Sequence, residues 1–213
     1  MQKFWIFIIS ILFCQLSNAQ SLKYGVTGNV HKTSIVGVHD VSKGKWGGGV
    51  GFFANIAIVD NDIFDSAWLY LVPQIEYNMM GEFADANPAL YEKQKFYHDY
   101  ISFQAYIKYF FHKGNMKRDV FLFAGPKVEL LVREKREVPA QYDTDYFKYN
   151  YDDEVNSLGL GVSVGAGLKI NQQLEGFIRY DRGLSKVYPN NNFKNTANQM
   201  LSLGFNYYLN KNW

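Results

Sequence analysis

Between Leu158 and Asp181 the chain reads LGLGVSVGAGLKI, NQQ and LEGFIRYD, a pattern that few folds accept. Leu158, Leu160, Val162, Val164, Ala166, Leu168 and Ile170 take one parity, and Gly159, Gly161, Ser163, Gly165, Gly167 and Lys169 take the other. A period of two belongs to a strand, because successive side chains there point to opposite faces. A helix would carry four interior glycines at about 1 kcal/mol each and would scatter the aliphatic residues around its axis. After Asn171, Gln172 and Gln173 the alternation resumes, with Leu174, Gly176, Ile178 and Tyr180 against Glu175, Phe177, Arg179 and Asp181. The pair is expected to form an antiparallel hairpin with a tight polar turn. At roughly 3.3 Å per residue the first strand is about 43 Å long, or about 30 Å high when tilted by about 40°. That height matches the hydrocarbon of a bilayer and exceeds what a soluble sandwich strand needs. The aliphatic parity is therefore expected to face lipid, and the Gly, Ser and charged parity to face the inside of a closed transmembrane barrel.

The rest of the chain repeats this grammar. Tyr24, Val26 and Val30 mark a weak first strand over Leu22 to His31; Val50, Phe52, Ala54, Ile56 and Ile58 mark the second. Leu69, Leu71, Pro73, Ile75 and Tyr77 mark the third, where Pro73 lacks a ladder donor. Ile101, Phe103, Ala105, Ile107 and Tyr109 give the fourth strand; Val120, Leu122, Ala124, Val128, Leu130 and Val132 give the fifth. Leu201, Leu203, Phe205, Tyr207 and Leu209 close the chain. The expected fold class is all-β, an eight-stranded antiparallel up-and-down transmembrane β-barrel. Its connections alternate long and short from a long first one over Lys32 to Trp46, which puts both termini in the periplasm and four loops outside. Trp46, Trp68, Tyr97, Tyr180, Tyr188 and Tyr208 are expected in the interfacial girdles.

Residues 1–19 read as a cleaved signal peptide: Lys3 starts it, Phe4 to Phe13 are apolar, and Ser17, Asn18 and Ala19 form the cleavage site. Residues 20–213 form the outer-membrane β-barrel domain. Cleavage removes the only cysteine, Cys14, so the mature chain has no disulfide and no thiolate chemistry. Its bulky neighbour Phe13 argues against lipidation there. The formal charge of +2 falls to +1 once Lys3 is removed, and nothing in the pattern suggests nucleic acid. Aromatic residues make up 17% of the chain, high for a soluble domain.

Ala124-Gly125-Pro126 running into Lys127 to Val132, Ile178-Arg179-Tyr180-Asp181-Arg182-Gly183-Leu184, and the closing Leu201 to Leu209 resemble the small outer-membrane β-barrel proteins of the PorT-like family. The resemblance covers nearly all of the mature chain and implies an eight-stranded barrel, with a link to protein secretion through the family's namesake. The closing segment also resembles the signal by which the barrel-assembly machinery recognises its clients. Either Leu209 or Trp213 is then the terminal hydrophobe.

A barrel of about eight strands is filled by its own side chains. Glu76, Lys127, Glu129, Arg179 and Asp181 share the inward parity near mid-height, which predicts a mutually paired charge network across the lumen. The functional alternative is a gated ion path or a small-ligand site. His98, Asp99 and Ser102 are the one grouping that suggests a lipid-modifying enzyme, but His98 and Ser102 lie about 13 Å apart along a strand. No catalytic residues, cofactor or metal ligands are assigned. The third external loop gathers Tyr142, Asp143, Asp145, Tyr146, Tyr149 and Tyr151, together with Phe147, Asp152, Asp153 and Glu154. Its carboxylates match no EF-hand spacing, so it reads as a candidate contact surface for protein or glycan.

The expected protein is a non-enzymatic barrel in the outer membrane of a Gram-negative bacterium, acting as a scaffold or interaction protein through its external loops. Its expected partners are outer-membrane lipid, the barrel-assembly machinery, and envelope or secretion proteins. Two alternatives are an accessory component of a protein-secretion system and a soluble lipocalin-like small-ligand carrier. A lipocalin would turn Leu160, Val162 and Val164 inward.

Overall fold

The computed structural model describes residues 22–37, 42–59, 67–84, 94–112, 118–137, 154–190 and 195–210. The expected signal peptide, the aromatic-acidic stretch from Tyr142 to Asp153 and the terminal Trp213 lie outside the described residues. Eight strands form: β1 (Lys23–Val36), β2 (Ser42–Val59), β3 (Leu69–Ala84), β4 (Gln94–Phe110), β5 (Val120–Glu137), β6 (Leu158–Lys169), β7 (Leu174–Gly183) and β8 (Ala197–Tyr208). Each pairs antiparallel with its sequence neighbour, and β1 pairs with β8, so the sheet closes into a barrel without an edge. Closure is what a sheet in hydrocarbon requires, because no solvent there can satisfy a free strand edge.

The two parities sort as the alternation demands. Val164 is 56% exposed on the outer wall while its neighbour Ser163 is buried in the lumen. Leu160, Val162, Phe103, Ile107, Leu122, Leu203 and Phe205 continue the outer apolar coat, and Glu129 and Arg179 lie within. A lipocalin-like carrier needs the reverse arrangement.

Glycines on β6 have a specific packing role. Phe123 and Arg179 flank Gly165, and Phe121 and Phe177 flank Gly167, in the ladders to β5 and β7. A methyl at either glycine would run into the Phe123 or the Phe121 ring. One strand of small residues thus makes room for large ones from both neighbours in a narrow interior.

Three expectations need correction. The first connection is short, spanning residues 37–41, because β1 and β2 continue through most of Lys32 to Trp46, with Lys32 opposite Trp46 and Thr33 opposite Lys45. These strand ends carry no aliphatic stripe, since they rise beyond the hydrocarbon. Tyr188 and Tyr208 do not join the girdles: both are buried. Tyr208 stands on the inward parity of β8, and Tyr188 folds over the mouth opposite the termini with Ile35, Val155 and Val187. Trp46 does project outward, at 70% exposure.

Pro73 is accommodated where the β2–β3 ladder skips the pairs between Phe53–Gln74 and Ile56–Leu71. Pro126 occupies the same kind of gap between Gln104–Lys127 and Ile107–Ala124 in the β4–β5 ladder. The missing N–H therefore removes no formed rung at either place.

Val164→Arg should destabilise the barrel in lipid vesicles by about 2–4 kcal/mol, the cost of a cation on the lipid face at mid-depth. Urea unfolding should show Val164→Leu close to the parent.

Candidate functional site

The lumen is the place where this sequence concentrates buried charge. From the end that holds the termini outward, its contents form an ionic layer, an aromatic layer, a second ionic layer and an apolar cap.

The upper ionic layer contains the five residues singled out by parity. Arg179 on β7 reaches across to Glu76 on β3, with Nη2 2.8 Å from Oε2. In an eight-stranded ring these strands stand opposite one another, so this bridge spans the lumen. Arg179 Nε donates to Asp181 Oδ2 at 3.0 Å. Lys127 Nζ lies 2.7 Å from Glu129 and 3.7 Å from Asp181, joining the pairs into one cluster. Neutral partners fill the remaining positions: Gln104 Nε2 and Asn29 Nδ2 donate to Glu76 at 3.1 and 3.3 Å, and Ser163 Oγ donates to Asp181. Arg179 Nη1 donates to the Tyr106 hydroxyl at 3.1 Å. All five charged side chains are almost wholly buried. A buried ion without such partners would cost several kcal/mol.

A lower ionic layer was not assembled from the sequence. Lys108 Nζ stands 2.5 Å from Glu175 Oε2. The Tyr208 hydroxyl donates to Glu175 Oε1 at 2.9 Å, and Asn206 Nδ2 donates to Oε2 at 3.2 Å. Asn55 Nδ2 donates to the Tyr208 hydroxyl at 2.6 Å. Parity marks Lys108 and Glu175 as inward. Their meeting depends on strand tilt and on registers around the ring, which no local pattern encodes.

Between these layers lie Tyr106, Phe123 and Phe177, while Phe110 and Phe121 of the same cluster pair with each other two residues beyond Lys108 toward the termini. Tyr106 and Phe123 meet edge to face at 5.0 Å, and Phe123 and Phe177 at 6.0 Å. Lys108 Nζ sits 4.1 Å from the Phe121 ring centre, and the Arg179 guanidinium 5.7 Å from that of Phe177. Cations on both sides of the aromatic layer thus face ring clouds. One void there, bounded by Gln74, Tyr106, Lys108, Phe123 and Arg179 among others, is about 20 Å3, room for one water.

The histidine grouping does not assemble. Ser102 shares a hydrogen bond with Asn78 at 3.2 Å, Asp99 accepts from Tyr77 at 2.8 Å, and His98 packs edge-on to Tyr188 at 6.2 Å between ring centres. Among the described residues no group of three or more His, Cys, Asp or Glu stands together as metal ligands. The candidate contact residues Tyr142, Asp143, Asp145, Tyr146, Tyr149 and Tyr151 lie outside the described residues.

The family model for an outer membrane protein beta-barrel domain matches residues 15–188. No curated protein matches. Among solved structures, Neisserial surface protein A is 14% identical, with a TM-score of 0.48 over 88% of this chain and 99% of that one. Ail, the attachment invasion locus protein of Yersinia pestis, solved with the heparin analogue sucrose octasulfate, is 9% identical, with a TM-score of 0.47 over 89% and 99%. OprG from Pseudomonas aeruginosa is 11% identical, with a TM-score of 0.46 over 88% and 93%. With the family model spanning most of its length, the chain belongs to the outer membrane β-barrel domain family, as a transmembrane protein of the Gram-negative outer membrane.

Proposed function

We propose that this protein is a non-enzymatic membrane scaffold, closed to diffusion through its lumen, which works through the loops it presents outside the cell. The carrying observation is the bridge from Arg179 to Glu76, laid across opposite walls and backed by the aromatic layer. A pore lining has no use for charges neutralised within the wall. Ile35, Val155, Val187 and Tyr188 add an apolar cover at the external mouth. A catalytic role finds little support, since the nucleophile and base candidates Ser102 and His98 each engage other partners.

The external loops then carry the specificity, as loops on a rigid scaffold commonly do. In this reading the stretch from Tyr142 to Tyr151 supplies the contact surface for an envelope protein or a glycan. Residues 1–19 act as a cleaved leader, and the barrel-assembly machinery inserts the mature chain. The likeness of the closing segment, Leu201 to Leu209, to PorT-like barrels favours a protein-secretion assembly as the setting.

Purified protein in planar bilayers should show no steady large conductance. A stable open channel would overturn the closed-lumen reading. Arg179→Ala should destabilise by about 3–5 kcal/mol, because it leaves Glu76 buried without its cation and Asp181 with only the more distant Lys127. Adding Glu76→Gln should recover part of that loss, read as a non-additive double-mutant cycle in urea. Deleting residues 141–153 should preserve heat-modifiable gel migration while abolishing co-purification of any partner captured by the intact protein.

A further inference from the structure

On the outer wall of β4 and β5 the apolar coat ends at Ile101, Leu130 and Val132. Above Ile101, simple alternation would next put Asp99, Tyr97 and Lys95 on the outer side of β4, and it does. On β5 the same rule fails. Beyond Val132 it would turn Glu134 and Arg136 outward and send Arg133 and Lys135 toward the lumen.

A β-bulge reverses this. Tyr100 pairs with Leu131 and Asp99 with Arg133, leaving Val132 without an opposite residue. The register slips by one, so Arg133, Lys135 and Glu137 stand opposite Asp99, Tyr97 and Lys95 on the outer wall. Glu134 and Arg136 move to the inner side, where Arg136 lies 5.2 Å from the Phe96 ring centre. Bulges re-aim side chains, and this one aims two cations at the membrane surface.

The cations are exposed yet held in place. Arg133 is 58% exposed and pairs with Asp99 at 3.4 Å; Lys135 is 52% exposed and pairs with Glu137 at 2.7 Å. Lys95, at 47%, approaches the same Glu137 at 3.7 Å. Asp99 is itself fixed by the Tyr77 hydroxyl. Same-face neighbours on a strand are about 7 Å apart, so the three cations form one patch directly above the lipid-facing residues. Asp99 is buried and holds Arg133 from beneath, whereas the Lys95 and Lys135 pairs with Glu137 are exposed on both sides and bind weakly enough to exchange a carboxylate for a doubly charged phosphate.

We propose that Arg133, Lys135 and Lys95 form a seat for a phosphate-bearing headgroup of a glycolipid in the outer leaflet. The acyl chains of that lipid lie along Ile101, Leu130 and Val132, and the headgroup phosphate reaches the cations immediately above. Position relative to the apolar coat selects a lipid over a soluble anion, since a free anion gains nothing from the hydrophobic wall below.

The test reconstitutes the full barrel into phosphatidylcholine vesicles containing bisphosphorylated lipid A, extracts it in mild detergent, and counts lipid A per barrel. The parent should retain lipid A. The triple variant K95Q/R133Q/K135Q should retain less by about tenfold or more, the scale expected for three cations near a charged headgroup. Deleting Val132 keeps every cation but removes the bulge, and it should lose retention likewise. Dephosphorylated lipid A should stay no better on the parent than intact lipid A does on the triple variant, and excess inorganic phosphate should leave retention intact. Equal retention by the triple variant would overturn the proposal, as would retention indifferent to lipid phosphate or displacement by inorganic phosphate. Heat-modifiable migration verifies folding; if the triple variant fails it, R133Q and K135Q are measured singly, each expected to retain less than the parent.

Discussion

Hydrocarbon offers the backbone no hydrogen-bond partner, and the architecture of this protein follows from that deficit. A sheet in such a medium must close on itself, and β1 meets β8 to do so. Once it closes, the alternation of side chains gives the chain two environments with opposite demands. Outward residues must be apolar over the lipid-spanning height. Inward residues share a space too small for bulk solvent, so each inward charge needs a protein partner. The Arg179–Glu76 bridge and the Lys108–Glu175 pair are answers to that second demand.

Filling the lumen is a problem of volume as well as charge. A narrow cylinder cannot take a bulky side chain at every inward position. The chain alternates in the circumferential direction too, with Gly165 of β6 standing between Phe123 and Arg179 and Gly167 between Phe121 and Phe177. This complementarity lets Phe121, Phe123 and Phe177 pack against one another inside the barrel. The outcome is a lumen filled largely by side chains. The bulge at Val132 sits at the upper limit of the apolar coat, and beyond it alternation counted from the lipid-facing residues no longer tells which residues face out.

Much of this was legible from residues alone because lipid imposes a strict rule. Leu158 to Ile170 could hardly be anything other than a long strand, and the same period located all eight strands. Parity also placed Glu76, Lys127, Glu129, Arg179 and Asp181 on the inside. Legibility failed where the rule lapses. The polar ends of β1 and β2 carry no stripe, so their connection was expected to be long. Tyr208 was assigned to a girdle by its residue type, although the positions of Leu203, Phe205 and Tyr207 put it on the inward parity. The meeting of Lys108 with Glu175 depends on tilt and shear summed over several strands. A one-residue slip such as that at Val132 leaves no mark in the local alternation that surrounds it.

The direction of the aliphatic parity is the premise most open to direct measurement. Spin labels placed singly at successive positions from Leu160 to Leu168, in barrels reconstituted in lipid, report collision with oxygen, which concentrates in hydrocarbon, and with a water-soluble nickel chelate, which does not. Oxygen accessibility should oscillate with a period of two and peak at Leu160, Val162, Val164, Ala166 and Leu168. Peaks at the intervening positions, or no oscillation, would contradict the account.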